Sequence, residues 1–207
     1  MLLAEIEIWH TRPAQPTRRL ALGHLVLPVD PAPGFGGLLL GAIVAEYLYG
    51  VDDDLVTDVH RLLSEIERDD RIVQPRLRHR FQVDRHGLAK SHHRMIGNGD
   101  DISFDFHSVG TDLAQVLGAI YAVERFAPEH RRRIVPVLQK AARWRGPIGP
   151  AMIAYLAGSR TLELEALADP RAWALGILGF ERGGKPPSKR DVMSKFRERM
   201  RDVHPDH

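Results

Sequence analysis

His204, Pro205 and Asp206 stand together one residue before the end of this 207-residue chain. Their chemistry is that of a recognition turn. A proline stiffens the backbone, a carboxylate can accept a bidentate arginine contact, and an imidazole can donate or accept a hydrogen bond. A tripeptide alone is a weak signal, so its surroundings must decide.

Other residues could also do chemistry. His79, His86, His92, His93 and His107 gather in the middle of the chain. A zinc site needs three or four convergent ligands, usually at recognisable spacings, and no H-E-x-x-H pattern occurs. These histidines are therefore expected on surfaces and turns, and no metal is expected. "GNGDD" (97–101) lacks the twelve-position calcium loop and reads as a turn. "EHRRR" (129–133) could touch phosphate but is explained by the exposed side of a helix. "GFGG" (34–37) precedes a helix without the lysine of a phosphate-binding loop. No nucleophile elbow with an ordered Ser, His and Asp is present, so no residue is named catalytic, no cofactor is expected, and the chain reads as a non-enzyme.

Composition narrows the classes further. Lys and Arg total 29 against 27 Asp and Glu, a net charge of +2 that does not by itself call for nucleic acid. There is no Cys, which excludes a disulfide framework and thiolate chemistry and fits a reducing, cytoplasmic setting. "MLLAEIEIWH" has no basic segment and carries two glutamates, unlike a secretory leader. The most apolar run, 34–50, is shorter than a membrane span and contains Glu46, so it reads as a core helix and no membrane partner is expected.

The elements that must position these residues follow from periodicity. Residues 2–9 and 18–30 read as strands and 35–49 as the core helix. Leu55, Val59, Leu62, Leu63 and Ile66 mark a second helix, capped by Asp52 or Asp53. Residues 72–107 hold two or three strands or an irregular hairpin. A helix capped by Thr111 or Asp112 follows, then one opening at Pro128 with a kink or break expected at Pro136, then a short helix at 151–158. The order predicts the α+β class: a mixed helix and strand module over 1–160, then a helical hairpin over 161–207.

In the hairpin, Asp169 caps a helix with Pro170 at its first position, and Gly179 is placed to end it. Ser188 and Asp191 form a box-like start for a second helix over 188–203. Val192, Phe196, Met200 and Val203 make its apolar stripe, expected to bury Val192, Phe196 and Met200 against 170–180. Basic residues fill much of the remaining surface, and Pro205 stops the helix.

This tail resembles a J-domain, the signature module of co-chaperones of DnaK-type heat-shock ATPases. The likeness covers about 165–207 and rests on "ILGF", "DVMSKFRERMRDV" and the HPD tripeptide. Phe196 stands eight residues before His204, where the family has Tyr or Phe, Val192 where it has Ile or Val, and Leu178-Gly179-Phe180 at the end of helix I. Arg199 departs from the usual Leu, with Met200 beside it able to take over the packing. The intervening loop is longer and richer in Gly and Pro than is usual. The segment corresponds to helix I, helix II and the HPD loop, without the third helix that packs on helix II. The resemblance implies a co-chaperone or adaptor whose His204, Pro205, Asp206, Lys195, Arg197 and Arg201 recruit and stimulate a DnaK-type ATPase. The alternative is a basic α+β nucleic-acid-binding module with a degenerate J-like tail, contacting phosphate through 129–133 and 189–201.

Overall fold

A computed structural model describes residues 1–12, 18–70, 77, 79–98, 101–158, 174–176, 178–180 and 187–203, the last five of these without their side chains. The fold is α+β, as the element order predicts. Five strands form one sheet in the order β3-β2-β1-β4-β5, with β1 Leu2–His10, β2 Arg19–Val26, β3 Arg80–Phe81, β4 Ala89–Asn98 and β5 Asp101–His107. All neighbours are antiparallel except β2 and β3. That parallel pair is joined by the crossover through α1 Gly34–Tyr47 and α2 Asp53–Glu67. β4 and β5 pair out to Asn98 and Asp101, which fits the turn signal read in "GNGDD".

Further helices are α3 Asp112–Val123, α4 Pro128–Ala141, α5 Pro150–Ala157 and, late in the chain, α6 Lys189–Val203. α1 and α3 lie on one face of the sheet, and α4 and α5 pack against α1 from behind. α1 is therefore enclosed on both sides, which is why its apolar residues need no polar face: Phe35 and Leu38 through Val44 are all buried. Among the described residues no helix is long and apolar enough to cross a membrane. α2, covered on one side only, keeps Val59, Leu62, Leu63 and Ile66 inward and its charges outward.

Local chemistry sets the helix starts. The Thr111 hydroxyl accepts the Ala114 N–H at 3.3 Å and caps α3. Asp52 takes the cap position of α2, and Asp53 and Asp54 lie in its first turn, where acids suit the helix dipole. α4 does not break at Pro136. The carbonyl that this proline leaves without a helical partner is that of Arg132, an exposed residue, where water can satisfy it.

Candidate functional site

α6 begins with a reciprocal cap. The Ser188 hydroxyl donates to Asp191 Oδ2 at 2.6 Å, the Ser188 N–H donates to the same oxygen at 3.2 Å, and the Asp191 N–H returns to Ser188 Oγ at 3.3 Å. This is the box read from the sequence, with Asp in the place of the usual Glu. Upstream, the Phe180 N–H bonds the Leu175 carbonyl at 3.1 Å and the Gly179 N–H bonds that of Gly176 at 3.0 Å. That pair of bonds is a Schellman motif, and Gly179 takes the left-handed position it requires, with φ +83°.

Helical geometry, at about 100° per residue, arranges α6 into three zones. The positions of Val192, Met193, Phe196, Met200 and Val203 share one stripe. Those of Lys195 and Arg199 border it on one side and that of Arg197 on the other, with Arg201 further round the same flank and Lys189 within the stripe itself. Asp191, Glu198 and Asp202 occupy the far side. The predicted partner residues thus divide: Arg197 and Arg201 share a flank, and Lys195 lies across the stripe, paired with Glu198 at 3.1 Å. The Lys195 and Arg197 side chains are exposed. The side chain of Arg201, and His204, Pro205 and Asp206 entirely, lie outside the described residues.

One expectation is overturned here. Phe196 is not buried against 170–180: it is 47% exposed, Met193 is 43% exposed, and Val192 is half-buried. In the described part of that segment, Leu175, Leu178 and Phe180 are themselves only half-buried. Met200 lies outside the described side chains.

The middle histidines also differ from expectation. His86 and His107 are exposed, but His79 and His93 are buried, and His92 is half-buried and hydrogen-bonded to Glu5. His93 Nε2 bonds Gln115 Oε1 at 2.9 Å, and its ring packs against Tyr47 and Phe106 with centroids 5.6 and 5.4 Å away. Burial above all holds its pKa down to about 4, against the opposing effect of the Gln115 bond. The ring is neutral at physiological pH and ties β4 to α3. His10, which the sequence analysis did not single out, is also buried: Nε2 lies 3.1 Å from Ser91 Oγ, which accepts the Val109 N–H at 3.1 Å. His10 and His79 are likewise lowered, chiefly by burial. Strand parity was the usable signal, since Ser91 and His93 alternate inward with Met95. Among the described residues no group of His, Cys, Asp or Glu converges as a metal site.

The remaining motifs are accounted for by packing. The Gly36 and Gly37 amides bond the Pro28 and Pro33 carbonyls at 2.7 and 3.0 Å and are not offered to an anion. Arg131 is not a solvated cation: Nε and Nη2 donate to the Phe126 and Glu124 carbonyls at 2.8 and 2.9 Å, and Nη1 pairs with Asp69. It closes the end of α3 and ties it to the end of α2. Arg132 and Arg133 remain exposed. No protein-family model, curated protein or solved structure matches this chain.

Proposed function

We propose that this chain is a J-domain-type co-chaperone or adaptor, in which the tail recruits and stimulates a DnaK-type ATPase chaperone and the α+β module provides localisation or client binding. The observation that carries the reading is the tail's order: a Schellman-closed turn at 175–180, a capped helix at 189–203 and His-Pro-Asp directly after it. The cationic borders of the α6 stripe support it, because they would steer the helix toward an acidic partner surface. In this reading Arg197 and Arg201 make the electrostatic approach. Pro205 stiffens the loop, and Asp206 accepts an arginine contact from the ATPase. His204 takes part as the first residue of the motif that the J-domain resemblance implies.

The nucleic-acid alternative loses support because Arg131, central to its first basic segment, is engaged inside the fold. The deciding experiment is single-turnover ATP hydrolysis by a DnaK-type chaperone, with the wild-type chain and with His204→Gln. Stimulation by the wild type that His204→Gln abolishes is the expected result. No stimulation, together with steeply salt-dependent binding to duplex DNA or RNA, would overturn the co-chaperone reading in favour of the alternative.

A further inference from the structure

β5 ends the sheet, and among the described residues no strand lies beyond it. Its polar backbone can be assigned to sides. Met1 and Gly97 bond each other across β1 and β4, the Met1 amino group donating to the Gly97 carbonyl at 2.6 Å and the Gly97 N–H to the Met1 carbonyl at 2.9 Å. Gly97 therefore turns its backbone toward β1, and its opposite number Ile102 turns its own away from β4. By alternation, Ile102, Phe104 and Phe106 present N–H and C=O groups to the open edge. Their side chains are half-buried on the helix-bearing face, and Phe104 and Phe106 stack at 5.8 Å. Natural sheets blunt such an edge with charged side chains, a proline, a bulge, an inward-pointing charge or a covering helix or loop. β5, "DISFDFH", has no proline or inward charge, and its pairing with β4 is regular.

The charges of β5 select a partner. We infer that this edge pairs antiparallel with β5 of a second copy of the chain, about a two-fold axis at Phe104. In that register Asp101 stands opposite His107 of the second copy, and Ser103 opposite Asp105. Each pair occurs twice by symmetry, and the open-edge groups of Ile102, Phe104 and Phe106 face one another. Shifting the axis to Ser103 would set Asp101 against Asp105, and shifting it to Asp105 would set that aspartate against itself. Both registers oppose like charges, which cross-strand pairing disfavours. Asp105 already pairs with Arg94, so its charge is partly met within one copy. The half-buried aromatic row would continue from one copy's sheet into the next. This inference is independent of the co-chaperone reading.

Sedimentation equilibrium of the full chain, from micromolar to sub-millimolar concentration, tests it. A reversible monomer–dimer equilibrium is expected. His107→Asp should raise the dimer dissociation constant by about tenfold, because it opposes like carboxylates at two symmetric places. Asp101→Arg added to His107→Asp should restore pairing. Both positions are exposed, and unchanged far-UV circular dichroism would show that the variants fold. A monomer throughout the range would overturn the proposal, as would a dimer indifferent to His107→Asp. A monomer that instead takes up an extended apolar peptide would show that the edge serves a client strand.

Discussion

His93 carries the clearest single-residue consequence. Its folded-state pKa of about 4 lies below the ordinary value of 6.5, so the unfolded chain binds the proton more readily than the folded one. The stability that this residue contributes is therefore complete above about pH 6.5 and is lost as pH falls toward 4. Between pH 7 and pH 5 the loss is on the order of 2 kcal/mol. His10 and His79 are shifted in the same direction and add to it. Urea unfolding at the two pH values should show that drop in the wild type and a smaller one in His93→Gln, which cannot take up the proton; equal drops would remove His93 as the cause. A second residue-scale prediction concerns Gly110. A Cβ there would meet the His10 ring at 2.4 Å, against a residue fixed by Ser91. Gly110→Ala should cost roughly 1–3 kcal/mol through overpacking, read as a lowered urea midpoint with unchanged slope. Neither site was legible from residue type: a histidine reads as surface until strand parity turns it inward, and the contact at Gly110 joins residues a hundred positions apart.

At the scale of elements, periodicity and caps carried far. The core helix was readable because apolar residues all round have no stable place except between layers, and α1 does lie between the sheet and α4. Leu39→Asp would place a carboxylate where the side chain is wholly buried, at a cost of more than about 4 kcal/mol, so the variant should partition to the insoluble fraction on expression. β3, with two residues, carries too little pattern to be read in advance. The caps of α6 were legible because S-x-x-D states its own hydrogen bonds. Ser188→Ala removes one partner of that box and should cost α6 about 1 kcal/mol. Amide exchange in the first turn of α6 would then quicken about fivefold while β4 and α3 stay protected; unchanged exchange would show that the cap does not hold the helix. Periodicity correctly marked Val192 and Phe196 as one stripe, but it names an apolar face without naming what covers it. That is why the burial of Phe196 was overestimated.

For the whole molecule, the exposure of Met193 and Phe196 bears on what holds the fold together. The core is built from the sheet and α1 to α5, and among the described residues its cluster of buried residues contains none from α6. A ring that is 47% exposed adds less to stability than a buried one. Phe196→Ala should therefore lower global stability by about 1 kcal/mol or less, where a fully buried ring would cost roughly 3–5. If the tail docks on a DnaK-type ATPase as proposed, the same ring lies beside the cationic borders that approach the partner. Its loss should then weaken stimulation of ATP hydrolysis by more than its small effect on folding explains. Thermal unfolding and single-turnover hydrolysis, measured on one preparation of wild type, Phe196→Ala and Phe196→Tyr, would distinguish the two contributions. Tyr keeps the ring and is a residue that the J-domain likeness admits there, so it should behave as wild type in both assays. A melting temperature lowered sharply by Phe196→Ala would mean that α6 is part of the core after all. An unchanged melting temperature with unchanged stimulation would mean that the stripe contacts neither the fold nor the ATPase.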